Sequence, residues 1–272
     1  MVDPAPQPTD DVTMTFVGNA TMLLRLGGFT LLTDPSFLHR GQRAYLGKGL
    51  WTRRLTDPAM EPGELPSLDA VLLSHMHGDH WDDIATRSLD KATPVVTTQA
   101  AARALGRKGF TATSDLRPWQ QHVLSAGDDD ELRITSVPGV HGPGPLAKVL
   151  PPVMGSVLEL VRGGEVAWRG YISGDTLYRP FLGEVLERCG PLDVLIPHLG
   201  GTKALGFTVT MDARQGADLV ELLRPPVTVP VHYDDYDRFR SPLGDFVAEV
   251  GRRELPGSVR TVQRGETISL RA

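Results

Sequence analysis

The stretch LDAVLLSHMHGDH, residues 68–80, joins an apolar run to a dense polar cluster. Residues 68–73 have the composition of a buried strand, and residues 81–88 have the pattern of a short helix. Between them, four ligand-type side chains occupy six positions: His75, His77, Asp79 and His80. The sequence therefore predicts three imidazoles and one carboxylate crowded at the end of a buried strand.

This crowding predicts a metal site. Three imidazoles and a carboxylate are costly to bury, and the imidazoles repel one another if protonated, unless a divalent cation binds their lone pairs. Histidine and carboxylate ligands without thiolates suit Zn, Mn or Fe in a catalytic site, which keeps one coordination position open for water. The alternative is a helix cap by Asp79 beside surface histidines that cluster by chance.

Further ligand-type residues follow other predicted strands. His141, Asp175 and His232 each come shortly after an apolar run, and Asp175 lies in a glycine turn where its carboxylate could bridge two cations. We expect these residues to complete two metal shells. His198 also follows a buried strand, and the sequence leaves a proton-donating or substrate-contacting role and a structural role equally open for it.

Strand and helix patterns alternate along the rest of the chain. A strand and a hairpin are predicted in residues 12–33, two hairpins in residues 121–172, and alternating strands and helices in residues 192–253. We expect two sheets packed on each other with helices outside, in one domain over residues 12–272. Residues 1–11, which are polar and contain three prolines, predict a flexible tail that is neither a signal peptide nor an anchor.

The composition narrows the class of protein. With 40% hydrophobic and 22% charged residues among 272, the chain is an ordinary globular protein rather than a disordered or fibrous one. Its net charge of −5 lacks the positive field that non-specific nucleic-acid binding uses, and no apolar run predicts a transmembrane segment. The single cysteine, Cys189, predicts a reducing compartment, the cytoplasm. The sequence leaves homo-oligomer formation open.

These motifs resemble those of the metallo-β-lactamase fold superfamily of metal-dependent hydrolases. The likeness extends from about Thr13 to Leu270 and rests on the ordered set H-x-H-x-D-H, His, S-G-D-T and H-Y. Four short motifs resemble those of the branch that contains L-ascorbate-6-phosphate lactonase and N-acyl-phosphatidylethanolamine-hydrolysing phospholipase D. They are LTDP (32–35), HGP (141–143), SGDT (173–176) and PVHY (230–233). The resemblance implies an α/β (α+β) fold, a four-layer αβ/βα sandwich.

The resemblance also implies two divalent cations, with zinc expected first and Mn, Fe or Ni as alternatives. The implied ligands of the first metal are His75, His77 and His141, those of the second are Asp79, His80 and His232, and Asp175 bridges both. The same branch often has a histidine where this chain has Asn19. An amide can orient a ligand or a substrate, but it cannot carry a proton.

The function implied is hydrolysis of a small ester-type substrate, a phosphodiester or a lactone, by a hydroxide that bridges the metals. Asp79 would orient the water, and metal-bound water, His198 or Tyr233 would protonate the leaving group. A nuclease of the same fold and a non-enzymatic metal-binding scaffold are the alternatives. The acidic charge and the lack of a long RNA-holding insertion disfavour the nuclease, and the intact ligand set disfavours the scaffold.

The segment from Ser36 to Leu55 inverts the acidic balance of the chain. It carries no acid and five basic residues: Arg40, Arg43, Lys48, Arg53 and Arg54. Beside the cleft, Arg40 and Arg43 could bind the phosphate or carboxylate of an anionic small-molecule substrate. The segment could instead touch anionic lipid through its aromatic residues, Phe37, Tyr45 and Trp51. A solvated connection is the third interpretation.

Two smaller polar groups have local explanations as well. The resemblance makes Asp34 a hydrogen-bond acceptor for a ligand imidazole, whereas the chain alone predicts an Asx turn before Pro35. Thr210 and Asp212 are explained as the start of a helix.

Overall fold

The computed structural model describes residues 12–126, 130–204 and 206–271. The predicted flexible tail, residues 1–11, lies outside the described residues. The strands of the described chain are β1 (Val12–Gly18), β2 (Thr21–Leu26), β3 (Phe29–Thr33), β4 (Arg43–Tyr45), β5 (Trp51–Arg53), β6 (Ala70–Leu73), β7 (Val95–Thr98), β8 (Thr113–Leu116), β9 (Gln121–Ala126), β10 (Asp130–Pro138), β11 (Met154–Arg162), β12 (Glu165–Ile172), β13 (Val194–Ile196), β14 (Lys203–Ala204), β15 (Phe207–Thr208), β16 (Val227–Thr228), β17 (Ser258–Val259) and β18 (Thr267–Ser269). The α-helices are α1 (Asp83–Ser88), α2 (Gln99–Arg107), α3 (Glu184–Cys189), α4 (Ala213–Leu223) and α5 (Leu243–Arg252).

Most of these strands form two seven-stranded sheets. The order is β18-β1-β2-β3-β6-β7-β8 in the first sheet and β17-β16-β13-β12-β11-β10-β9 in the second. In each sheet, antiparallel strands joined by hairpins lead into parallel ones, starting at β3 and β6 in the first and at β12 and β13 in the second. The carboxyl ends of the parallel strands meet at one edge of each sheet, which is where ligands bind in such sheets.

Side chains that alternate between the two faces of each strand form the layers of the fold. In β1, Val12, Met14 and Phe16 point into the core between the sheets, whereas Val17 faces the opposite side, toward α1 and α2. Helices α3, α4 and α5 cover the outer face of the second sheet through residues such as Val220. Each fully buried aliphatic side chain contributes roughly 1.5–3 kcal/mol. The predicted four-layer sandwich is therefore confirmed.

Several short strands were not predicted, among them β14, β15 and β17. The basic segment from residue 36 to 55, for which three interpretations were open, contains the β4–β5 hairpin. Strands β8 and β18 lie at the edges of the first sheet, and their sequences TSDL and TIS lack the apolar content that identifies a buried strand. Within the described ranges, each helix is too short or too polar to cross a bilayer.

Candidate metal centre

The seven predicted ligands meet between the two sheets at the carboxyl ends of their strands. Strand β6 ends at Leu73, immediately before the ligand loop, residues 74–80. Strands β10, β12 and β16 each end within four residues of the ligand that follows them. Every one of the seven is buried: His75, His77, Asp79, His80, His141, Asp175 and His232.

The first implied triad converges on one point. His75 Nε2 lies 2.9 Å from His77 Nδ1, and His141 Nε2 lies 3.3 Å from the same His77 Nδ1. One ligand atom from each of the three residues lies within 4.8 Å of the others. A cation placed among these nitrogens would have three imidazole ligands, as catalytic zinc sites do.

The second implied triad lies alongside the first. His232 Nε2 is 3.7 Å from Asp79 Oδ2, and His80 Nε2 is 3.9 Å from the same oxygen. Asp175 lies between the triads, with Oδ2 3.3 Å from His80 Nε2 and Oδ1 3.6 Å from His232 Nε2. Asp175 also groups with His75 and His80 within 4.8 Å. This position is compatible with the predicted bridging role.

Backbone carbonyls orient the imidazoles that come from the second sheet. His141 Nδ1 lies 2.9 Å from the carbonyl oxygen of Val209, and His232 Nδ1 lies 3.0 Å from that of Leu199. A hydrogen on Nδ1 donated outward leaves the Nε2 lone pair directed into the centre. The fold thus selects the tautomer that can bind a metal.

The carboxylate of Asp34 contacts two residues of the ligand loop. Its Oδ2 lies 3.0 Å from His80 Nδ1 and accepts a 2.8 Å hydrogen bond from the Ser74 hydroxyl. Its Oδ1 accepts from the Ser74 main-chain N–H at 2.7 Å. This approach is compatible with the predicted role of Asp34 as an acceptor for a ligand imidazole, which stays a prediction.

Unpaired atoms test whether a cation fits. Among the described residues, six buried atoms of this cluster make no hydrogen bond within the protein: His77 Nε2, Asp79 Oδ1, His80 Nδ1, His80 Nε2, His198 Nε2 and His232 Nε2. Buried polar atoms without partners are costly, and a donor set of imidazoles and carboxylates without thiolate suits Zn, Mn or Fe. The residues present fit divalent cations.

The charges in the cluster agree with that conclusion. Burial, with the charge of nearby His141, lowers the pKa of His77 to about 3. Burial alone would raise the pKa of Asp79, but His80 and His232 outweigh it and lower this pKa to about 2. Burial opposes protonation of His80, yet Asp175 and Asp79 hold its pKa well above the usual value. Two buried carboxylates thus require positive charge beside them, which cations would supply.

His198, a predicted catalytic residue, contacts Asp175. The His198 side chain is fully buried, and its Nδ1 lies 3.1 Å from Asp175 Oδ1. Its ring stacks on those of His80 and His232, with centroids 5.8 and 5.5 Å away. Burial lowers the pKa of His198, so its ring stays neutral. This geometry favours a role in orienting Asp175, and proton donation stays a prediction.

Thr210 is a contact that sequence reasoning missed. Its hydroxyl donates a 3.1 Å hydrogen bond to Asp175 Oδ2. Asp212 caps α4 as predicted, because its Oδ1 accepts from Gln215 N at 3.0 Å. No sequence signal separates these two roles, since both residue types are typical of a helix start.

Asn19, a predicted substrate contact, and Tyr233, a predicted proton donor, lie in different parts of the structure. Asn19 is buried directly behind Asp79 and donates to its carbonyl oxygen. Tyr233 is half-buried and lines a separate groove with Asp234 and Phe239. Burial raises the pKa of Tyr233 to about 12. Protonation of a leaving group by Tyr233 stays a prediction that this position does not favour.

The basic segment divides into buried and exposed parts. Arg54 is fully buried and pairs with Asp235 at 3.1 Å, so it cannot contact a substrate. Arg40 and Arg43 are exposed, and neither lines the cavity over the ligands. Substrate binding by this pair stays a prediction without support from that cavity. Phe37 is fully buried, so the expectation that it touches lipid is wrong.

The β4–β5 hairpin covers the ligand loop. Gly78 N donates to Tyr45 O at 2.9 Å, and a Cβ atom at position 78 would lie 2.7 Å from Tyr45 N. Glycine is therefore required here by the close approach of the two backbones. The turn of the hairpin brings Leu46 and Leu50 over the ligands, where they line a cavity of about 20 Å³, room for about one water molecule.

Comparison with known proteins identifies the family. Residues 30–233 match the Beta-lactamase superfamily domain. A UPF0173 metal-dependent hydrolase of Pyrococcus furiosus is 26% identical over 260 residues, which are 95% of this chain and all of that protein.

Solved structures show the same fold. The isothiocyanate hydrolase from Delia radicum gut bacteria superposes with a TM-score of 0.78 at 21% identity, covering 96% of this chain and 99% of that one. A possible metal-dependent hydrolase from Veillonella parvula gives 0.79 at 23% identity, covering 95% and 99%. The predicted superfamily is confirmed, whereas the narrower lactonase and phospholipase D branch stays a prediction.

Proposed function

Because the chain belongs to the family of the Beta-lactamase superfamily domain and is a metal-dependent hydrolase of the metallo-β-lactamase fold, we propose that it is a binuclear enzyme. Its substrate would be a small ester-type molecule, a phosphodiester or a lactone. A cytoplasmic location belongs to the proposal and is supported by the lone cysteine, Cys189.

One observation carries the proposal: two ligand triads flank a single carboxylate. Asp175 approaches His80 of the second triad at 3.3 Å and lies within 4.8 Å of His75 in the first. A single metal would leave one triad of buried donors without a partner, at a cost of about 1–3 kcal/mol for each neutral group. Two cations satisfy both.

The chemistry divides between the cations and the chain. Two divalent cations, zinc or an alternative such as Mn, Fe or Ni, would polarise a substrate oxygen and lower the pKa of water toward neutrality. Asp79 would orient a water molecule or take its proton, and its unpaired Oδ1 supports this part of the proposal. Thr210 and His198 hold the carboxylate of Asp175 from its two oxygens, so that its position is fixed before a substrate arrives.

The cavity over the ligands is small and enclosed, unlike a groove for a polymer. Four ligands, namely His77, Asp79, His141 and Asp175, lie at its floor, and its volume is about 20 Å³. A polynucleotide would need a long open groove lined with basic residues. The small cavity over the ligands therefore disfavours the nuclease alternative.

A substrate screen with metal-reconstituted protein tests the proposal. The chain is stripped with a chelator, reloaded with Zn, Mn, Fe or Ni, and assayed against lactones, carboxylic esters and phosphodiesters. We expect hydrolysis of at least one class, lost in His77→Ala and retained in His122→Ala, a matched variant of a histidine outside the cluster. Absence of hydrolysis in every class from protein carrying two metals would contradict the proposal.

A further inference from the structure

The walls of the cavity are mostly aliphatic, with Thr202 as a neutral polar side chain among them. Above the ligands, five apolar residues line it: Leu46, Leu50, Leu150, Ala204 and Val209. They come from separate segments, because the first two belong to the β4–β5 turn, Leu150 follows the short 3₁₀ helix Gly144–Lys148, and Ala204 ends β14. Leu150, Ala204 and Val209 form one buried cluster against which Leu50 packs. The chain thus builds an apolar chamber directly over the metal ligands.

Cationic side chains contribute little to this chamber. Among the described residues that line it, the cations are Lys203 and Arg238. Lys203 is exposed, and Arg238 Nε donates to the carbonyl oxygen of Trp51 at 2.7 Å. Neither is a buried cation directed at the floor, which a site for a phosphate group typically has. A phosphodiester would lie against divalent cations held by the ligands at the floor, but its negative charge would otherwise face aliphatic walls.

Exposed apolar side chains lie on the segments that contribute the walls. Of the eight large apolar side chains that are exposed in the described chain, four lie on the segments that form the walls: Tyr45, Trp51, Val149 and Phe207. The rings of Tyr45 and Trp51 lie 4.8 Å apart. Tyr45 and Trp51 line a neighbouring cavity with Arg43 and the ligand His77. Exposed apolar groups beside a ligand cavity are typical of a surface that binds an apolar group.

We propose that the substrates are uncharged carboxylic esters or lactones with an aliphatic acyl chain, and that this chain lies between Leu46, Leu50 and Leu150. The inference rests on the proposed hydrolase function. Water adds its oxygen to the acyl carbon, the acyl C–O bond breaks, and the alcohol oxygen leaves with a proton, so the products are a carboxylic acid and an alcohol. Because the chamber has room for about one water molecule, the β4–β5 turn must move outward to admit the chain.

Binding of fatty acids, the product class, tests the inference without turnover. Acetate, butyrate and hexanoate carry the same charge, so their affinities for the metal-loaded protein isolate the contribution of the chain. Each buried methylene should raise the affinity about fourfold, measured by calorimetry. Leu50→Asn should flatten this series, whereas Val123→Asn, a change of an exposed valine on β9, should retain it. Equal affinities for the three acids in the parent protein would overturn the inference.

Turnover separates this inference from the hydrolase proposal. We expect kcat/KM to rise from methyl acetate to methyl hexanoate and to exceed that for dimethyl phosphate. Hydrolysis of phosphodiesters in preference to esters, or of esters with no dependence on chain length, would overturn the inference while supporting a hydrolase. Chain-length-dependent binding with no hydrolysis of any substrate would instead contradict the hydrolase function.

Discussion

The side-chain amide of Asn19 donates a 2.7 Å hydrogen bond to the main-chain carbonyl of Asp79. The main-chain carbonyl oxygen of Asn19 accepts a hydrogen bond from His232 N at 2.9 Å. Asn19 has a φ of 56°, a left-handed conformation that asparagine tolerates better than most residues. One turn residue of the first sheet therefore fixes the backbones of two ligands of the second triad.

This relationship predicts that Asn19→Ala weakens the second metal site selectively. Loss of the amide removes the hydrogen bond that holds the Asp79 backbone. We therefore expect the affinity for the second metal to fall on the order of tenfold, as it does when other residues that orient ligands are changed. Competition with a chelating dye measures the two affinities separately. Gln99→Ala, which removes an exposed amide on α2, is the control. Equal weakening of both metals would show that Asn19 acts on the whole fold.

The two triads predict about two divalent cations per chain. Metal analysis of protein purified without chelator measures the number, and Asp175→Asn should lower the affinity for both cations because Asp175 lies beside both triads. One tightly bound cation at saturating supply, unaffected by Asp175→Asn, is incompatible with a binuclear centre.

Asp79→Ala and His232→Ala should each abolish hydrolysis and leave the fold intact. The cores between and outside the sheets are built from apolar side chains, and neither residue contributes to them. Circular dichroism checks the fold, and turnover of the substrate found in the screen checks activity. Retained turnover with a normal metal content would mean that the second site is dispensable.

The buried ion pair between Arg54 and Asp235 predicts a structural role for one arginine of the basic segment. Both side chains have no exposed surface, and Arg54→Met leaves the buried Asp235 with Arg264, 3.1 Å away, as its remaining ion-pair partner. The variant should lower the free energy of unfolding by about 2 kcal/mol. Arg53→Met removes an exposed charge 3.9 Å from Asp237 and should cost less than about 1 kcal/mol. Denaturant titration measures both. Equal losses would show that burial of this pair has no energetic consequence.

The metal centre was predictable because its signal is local. Four ligands lie within residues 75–80 after an apolar run, and such a cluster is interpretable without knowledge of the fold. The layers were predictable for a similar reason, since alternation within a single strand such as β1 determines which residues face the core. The edge strands β8 and β18 were missed because half-exposed strands tolerate polar residues and lose this signal.

Only the tertiary structure decided which residues support and enclose the centre. Thr210 and Asp175 are 35 positions apart, Asn19 and Asp79 are 60 apart, and each pair meets through a hydrogen bond that leaves no periodic pattern in the sequence. The basic segment had three open interpretations, and its folding into a hairpin buried Arg54 and placed Leu46 and Leu50 over the ligands. Short-range periodicity records which face of an element is buried, whereas contacts between distant loops depend on how the two sheets pack, and that packing is set by the whole chain.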